Sequence, residues 1–269
     1  MSVVLQISDP HFGTERAAVV EALVALARLQ QPDLLVLSGD ITQRARPRQF
    51  KLARALVDRL AAPMLAIPGN HDIALFNLAA RLVCPYSHYR QAFGDVLEPV
   101  FSSADLLVIG VNTTRWYRHQ DGEVSPQQIA RVVNTLAAAK AGQLRVVVVH
   151  QPIAVQCAED LGNRLRGHAA AQSQWAAAGA DLVLGGHIHL PYVMALAGLA
   201  RPMWAVQAGT AVSSRVRDGL PNSVNLLRWG RHAPAGHCLI EQWDCAADGA
   251  GFVRSRVTDV HPAAAPGGG

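Results

Sequence analysis

The chain has 269 residues, half of them apolar, enough for one large domain with a substantial core. Its net charge of +4 rests almost wholly on arginine, 22 of the 24 basic residues against only Lys51 and Lys140, with no block of like charges; beside so much alanine, that skew points to a GC-rich genome and supports no specific nucleic-acid partner. No apolar run approaches the ~18 residues that span a bilayer, no basic leader or cleavage site opens the chain, and Cys84, Cys157, Cys238 and Cys245 lack paired spacing, so a cytoplasmic protein with reduced thiols and no membrane contact is expected.

Short runs rich in Val, Ile and Leu predict buried strands at 3–8, 34–38, 63–68, 105–111, 144–149 and 181–184. Between the early runs, at 15–30 and 48–60, aliphatic residues return every three or four positions, the spacing of amphipathic helices. Residues 75–100, with Phe76, Tyr86, His88, Tyr89 and Phe93, interrupt this alternation. They read either as a helical excursion whose aromatics wall a site or as a surface insertion with a small core of its own. Ser125 as N-cap and Pro126 at the first helical position open a third helix running to about residue 140. After residue 200 the texture changes. Strand-like pieces at 203–207, 223–228 and 238–243, separated by Gly, Pro and Asn, predict hairpins in a second, more antiparallel sheet. Alternating strands and helices imply an α/β fold with helices covering a sheet. A single domain over 1–259 is expected, with the Pro-, Ala- and Gly-rich 260–269 as a disordered tail.

Five strand-like runs end in polar clusters of one kind. They are Ser8-Asp9-Pro10-His11, Ser38-Gly39-Asp40, Pro68-Gly69-Asn70-His71-Asp72, His150 after its valine run, and Gly185-Gly186-His187-Ile188-His189. In open α/β sheets, sites form beyond the carboxyl ends of strands, so the five clusters should converge. Imidazole suits Zn, Mn or Fe, while carboxylate and amide oxygens suit the harder of those ions. On an extended strand end, Asp-x-His and His-x-His each place two side chains on one side, and each pair would grip metal from one direction. Asp40 could bridge two ions about 4 Å apart, the spacing of two-metal hydrolysis. Taken singly, Asp9 and Asp40 also suit helix caps, and His150 a structural role. The ordered set of five argues for metal.

That set, Asp-x-His, Gly-Asp, Gly-Asn-His-Asp, His and Gly-His-x-His, resembles the calcineurin-like metallophosphoesterase superfamily, and within it the bacterial class III cyclic-nucleotide phosphodiesterase branch. The motifs run from residue 9 to 189; Ala208-Gly209-Thr210 and the stretch 222–225 add a less specific likeness. The resemblance implies an αββα sandwich, two facing mixed β-sheets flanked by helices. It also implies two divalent metal ions (Mn, Fe or Zn). One would be held by Asp9, His11, Asp40 and His189, the other by Asp40, Asn70, His150 and His187. His71 would be the catalytic histidine that contacts the substrate phosphate or protonates the leaving group. Gly39 to Arg44 match the Gly-Asp-x-x-Asp-Arg pattern of protein phosphatases, except that Gln43 replaces the Asp that orients the histidine in those relatives. Asp72 is then a candidate partner for His71. Arg44 is either a phosphate contact or a surface residue, Asn112 a candidate pocket residue, and Arg115, His119 and His168 plain loop residues.

The implied activity is hydrolysis of a small-molecule phosphate ester by a metal-bound hydroxide, foremost a phosphodiester such as a cyclic nucleotide. A nucleotide-sugar lipid pyrophosphatase, a nuclease, a phosphomonoesterase and a non-catalytic scaffold on the same fold stand as alternatives. The sequence offers no Gly-x-Ser-x-Gly elbow and no Walker loop that would support another chemistry.

Overall fold

Every residue of β1 (Ser2–Ile7) is buried, because both faces of the strand are covered. Val3, Leu5 and Ile7 pack among the aliphatic stripes of α1 (Ala17–Gln30) and α2 (Pro47–Leu60), while Val4 turns to the opposite face. The same period of two repeats in β2 (Leu34–Ser38), where Leu35 and Leu37 face the helices and Leu34 and Val36 face inward. In a computed structural model that describes residues 2–74, 78–230, 233 and 236–263, the alternation resolves into two six-stranded sheets packed face to face.

In the first sheet β1, β2 and β3 (Met64–Ile67) run parallel. The free side of β1 is filled by β10 (Ser223–Trp229), antiparallel with Leu5 opposite Leu226, then by β11 (Cys238–Cys245) and β12 (Phe252–Val260). The second sheet has a parallel centre of β5 (Leu106–Gly110), β6 (Leu144–Val148), β7 (Leu182–Gly185) and β9 (Trp204–Gln207). Antiparallel β4 (Val100–Ser102) and β8 (Tyr192–Ala195) form its edges. Outside this sheet lie α5 (Pro126–Ala137) and α6 (His168–Ala177), whose Ile129, Val132 and Trp175 pack on Ile109, Val147 and Val183. Between the sheets, Val4, Val36, Ile67, Val108, Val146 and Leu184 form the middle layer. Two mixed sheets flanked by helices is the expected sandwich.

The hairpins expected after residue 200 do not form a sheet of their own. The piece at 203–207 becomes β9 and joins β7 in parallel, whereas 223–228 and 238–243 extend the first sheet. The reason is the open edge of β1, whose hydrogen-bonding groups need a partner on the side away from β2. His168 opens a helix rather than lying in a loop. The 75–100 excursion contains α3 (Leu78–Val83) and α4 (Ser87–Phe93). Tyr89 is buried, with ring centroids 6.3 Å from Phe50 and 5.4 Å from Phe93, so it packs on α2 as core. Tyr89 and Phe93 therefore brace the helical layer. Phe76 lies outside the described residues, as do 264–269 of the expected tail; Val260 closes β12, and the Ala263 carbonyl accepts from Arg145 at 3.2 Å and Arg201 at 3.1 Å. Among the described residues no helix is long and apolar enough to cross a membrane, and all four cysteines are free.

Ser125 caps α5 as expected, its Oγ accepting from Gln128 N at 3.2 Å while the Gln128 Oε1 accepts from Ser125 N at 3.0 Å. A stronger tie joins the starts of β6 and β7. Arg145 donates Nη2 to Asp181 Oδ1 at 2.8 Å and Nε to Oδ2 at 3.0 Å, and its backbone N donates to the same Oδ2 at 2.8 Å, all out of water. Asp181→Ala would strand a buried guanidinium, so it should cost about 3–5 kcal/mol, read as a lower urea midpoint at unchanged m-value.

Candidate metal centre

Five strands stop at one end of the sandwich, and the segments that leave them bring their polar clusters together. Asp9 and His11 follow β1, Asp40 follows β2, Asn70 and His71 follow β3, His150 follows β6, and His187 and His189 follow β7. Asp9, Asp40, His11 and His150 are buried almost completely. Three sets of ligand atoms lie within 4.8 Å of one another: Asp9, His11 and His189; Asp40, His150 and His187; and His11, Asp40 and His71. Asn70 joins the second set, its Oδ1 3.2 Å from His150 Nε2.

Asp40 lies between the sets. Its Oδ1 is 3.3 Å from His150 Nε2 and accepts from His71 N at 2.8 Å, while Oδ2 is 3.8 Å from His11 Nε2. One oxygen thus faces each side. The His-x-His pair divides likewise, His189 to one set and His187 to the other. This corrects the expectation that the pair grips from one direction, because the chain is not extended here. Asp9, His11, Asp40, His187 and His189 all have φ between 42° and 74°, in the left-handed region that L side chains rarely adopt. Close packing explains the glycines beside them: a Cβ on Gly186 would collide with Ser8 Oγ and Asp9 Oδ2, and one on Gly69 with the Asp40 backbone.

Carbonyl partners fix how the imidazoles face. His150 Nδ1 lies 2.9 Å from Ser38 O and His189 Nδ1 2.6 Å from Arg215 O. A carbonyl only accepts, so both Nδ1 atoms carry hydrogen, and the Nε2 atoms are left for a ligand. His189 Nε2 is 3.4 Å from Asp9 Oδ1 and 3.1 Å from His11 Nε2. On Asp9, Oδ2 accepts from Ser8 Oγ at 2.6 Å and from His187 N at 2.9 Å. Asp9 Oδ1 and His187 Nδ1 are buried with no hydrogen-bond partner. Buried polar atoms left without a partner are costly, and a cation is the group that would satisfy them. The donor set therefore fits divalent metal.

The charges couple strongly. Burial would strip the proton from His150, yet the charge and hydrogen bond of Asp40, the charge of Asp9 and the Ser38 carbonyl hold it up to about 9. Burial pushes His187 down to about 4, with His150 adding to the effect, and His11 down to about 3 despite the carboxylates. Burial raises Asp9, but the His189 imidazole, its Nε2 3.4 Å from Oδ1, and the charge of His150 outweigh it and bring it to about 2.

The residues around the centre divide into those that support it and those that do not touch it. Asp72 does not orient His71. Its oxygens accept from Gly69 N at 2.9 Å, Ile41 N at 3.0 Å, and Thr42 N and Oγ1 at 2.8 Å each, tying the β2 and β3 loops together. His71 Nδ1 instead meets the Gln43 carbonyl at 3.0 Å. Thr210 Oγ1 donates to Asp9 O at 2.5 Å, and Asn225 Nδ2 to Gln6 Oε1 at 3.0 Å, so both late sequence stretches support the centre from beneath. Asn112 folds onto its own loop, accepting from Thr114 Oγ1 at 2.7 Å, and Arg115 holds that loop through Asn112 O at 3.0 Å. Arg44 is exposed, its backbone N donating to Gln49 Oε1 at 2.9 Å, and His119 lies exposed in a loop. Sequence reasoning missed Arg215, whose Nη1 is 3.4 Å from His71 Nε2 and 3.5 Å from His11 Nδ1. No metal-like spacing marks it.

The family model for calcineurin-like phosphoesterases matches residues 2–191, well over half of the chain and every ligand position described above. The chain belongs to the calcineurin-like phosphoesterase family. Over 93 residues it is 38% identical to the glycerophosphodiester phosphodiesterase GpdQ of Enterobacter lignolyticus, covering 29% of this chain and 33% of that one. Over 78 residues it is 33% identical to a probable cyclic nucleotide phosphodiesterase of Synechococcus sp., covering 26% and 31%. These matches span about a third of the length of the curated relatives. A dimetal phosphatase from Danio rerio shares the calcineurin-like fold at a TM-score of 0.70 and 12% identity, over 97% of this chain and 99% of that one. Purple acid phosphatase PPD1 from yellow lupin does so at 0.70 and 12%, over 97% and 53%.

A cation entering beside Asp40 must displace the His150 proton, which is held to about 9. Titrating Zn²⁺ or Mn²⁺ into chelator-treated protein at pH 7 should release at least about one proton per chain, with the release falling as pH rises through 9. Calorimetry in buffers of different ionisation enthalpy measures it.

Proposed function

We propose that this chain is a two-metal phosphodiesterase acting on small-molecule phosphodiesters such as cyclic nucleotides. The observation that carries the reading is Asp40, with one oxygen toward the His150 set and the other toward the His11 set. Asp9, His11, Asp40 and His189 would hold one ion, and Asp40, Asn70, His150 and His187 the other. When bound, two divalent cations neutralise phosphate oxygens and lower the pKa of a water toward 7. Two of the relatives are named as phosphodiesterases, and that supports the diester.

The chain's own residues supply orientation and a proton. His71 N donates to Asp40, which fixes the histidine at the rim of the centre, and its Nδ1 hydrogen is engaged by the Gln43 carbonyl. Nε2 is then the atom that would protonate the departing alkoxide. The carbonyls of Ser38 and Arg215 keep His150 and His189 from rotating out of place.

Two measurements test this. Elemental analysis should find about two divalent ions per chain. Asp40→Ala should lose both ions and all turnover, whereas His71→Ala should keep the ions and lose about two to four orders of magnitude in kcat. A chain holding at most one ion in excess Mn²⁺ or Zn²⁺ would refute the binuclear assignment.

The substrate test compares bis(p-nitrophenyl) phosphate with p-nitrophenyl phosphate. The diester should be hydrolysed faster, because it carries one fewer charge and no cluster of arginines lines the ligands among the described residues. Slow but measurable turnover of a 2′,3′- or 3′,5′-cyclic nucleotide is expected beside it. A clear preference for the monoester would overturn the diester reading.

A further inference from the structure

Arg215 stands at the mouth of the centre in a loop that is tied down on several sides. Arg16 N donates to Val212 O at 2.8 Å, Ser214 N to Thr14 O at 2.8 Å, and Asn222 Nδ2 to Ser213 O at 2.7 Å. Its own carbonyl accepts from His189. The backbone is therefore fixed to the ligand shell, while the side chain remains exposed.

The guanidinium donates Nη1 to Gln43 Oε1 at 2.9 Å and lies beside the ring nitrogens of His71 and His11. None of these partners is a carboxylate, and among the described residues Arg215 makes no ion pair. Arg217, two residues on, shows the contrast, with Nη1 3.0 Å from Asp160 Oδ2 and Nη2 bonded to Glu159. Gln43 stands where the protein-phosphatase pattern has Asp. An aspartate there would neutralise the guanidinium, whereas the amide oxygen holds it in the same place and leaves its charge whole.

We propose that Arg215 is the substrate-binding residue that grips the phosphoryl group, and that Gln43 keeps it in reach without neutralising it. The inference rests on the phosphoesterase reading. A phosphate oxygen entering over the two ligand sets meets a planar donor fork already at the rim, and charge-assisted N–H···O contacts outcompete a neutral amide acceptor. The same movement takes Nη1 off His71 Nε2, so that this nitrogen can take a proton from water and pass it to the leaving alkoxide. Substrate binding and release of the proton-transfer atom are then one event.

The test uses Mn²⁺-loaded protein and inorganic phosphate as the probe, read by calorimetry, with metal content measured alongside. Arg215→Gln should bind phosphate ~10- to 100-fold more weakly at unchanged metal content, because the carbonyl that orients His189 is backbone, and KM for bis(p-nitrophenyl) phosphate should rise. Arg215→Lys should recover part of the loss. Gln43→Asp should weaken phosphate binding in the same direction although Arg215 is intact, a change that a merely positioning role would not produce. Unchanged phosphate affinity in Arg215→Gln, full affinity in Gln43→Asp, or loss of metal from Arg215→Gln would each overturn the proposal. Phosphate binding needs no turnover: a wild-type chain that binds phosphate through Arg215 but hydrolyses no ester would refute the phosphoesterase reading and leave the anion clamp standing.

Discussion

Two carboxylates held out of water, Asp9 and Asp40, set the terms for everything around them. A buried anion is costly unless it is paired and hydrogen-bonded, and each nearby feature answers one of these charges. Ser8 Oγ and His187 N satisfy one oxygen of Asp9. His71 N and the His150 proton answer Asp40. Beneath them a polar layer replaces the aliphatic one: Gln6 reaches Ser38 Oγ at 3.2 Å and Gly185 O at 3.0 Å, linking the sheets through hydrogen bonds where the valines stop. The layer between the sheets is apolar until it reaches the strand ends that carry these carboxylates.

The ligand positions store strain as well as charge. Left-handed backbone at a non-glycine residue costs about 1–3 kcal/mol, and five of the candidate ligands share it. Such a conformation persists only where the surroundings over-determine it. Here the parallel ladders of β1 to β3 and β6 to β7 fix where each segment starts, and the neighbouring glycines leave no room for it to relax. Stability built into the sheets is what holds an unfavourable arrangement at their edge.

The strands that bear the site were legible because both of their faces are buried, and continuous Val, Ile and Leu runs such as 34–38 and 144–149 have few other readings. The amphipathic helices at α1 and α2 were legible for the matching reason, one apolar stripe each. What escaped lacks such a pattern. The middle of β12 is exposed from Val253 to Val257, as an edge strand allows, so its sequence shows no alternation. In α6 the buried residues are Ala171, Trp175 and Ala176, too small a stripe to stand out in an alanine-rich chain. The candidate ligands that converge were readable from residue type and order, but the left-handed backbone that divides His187 from His189 has no signature in His-x-His. Arg215 escaped because its place depends on Asn222, Thr14 and His189, contacts between segments far apart in the chain.

The pairing of β1 with β10 also constrains how the chain is made. During synthesis β1 finds β2 within a few dozen residues, but its other edge stays open until residues 223–229 exist. Until then an apolar strand edge is exposed, the kind of template on which nascent chains associate wrongly. Asp9 and His11 hang from that strand, and Thr210 and Arg215, which support and overlook them, lie just before its late partner. The candidate metal centre is thus assembled from segments made far apart in time, and it stays open on one side until β10 has been synthesised.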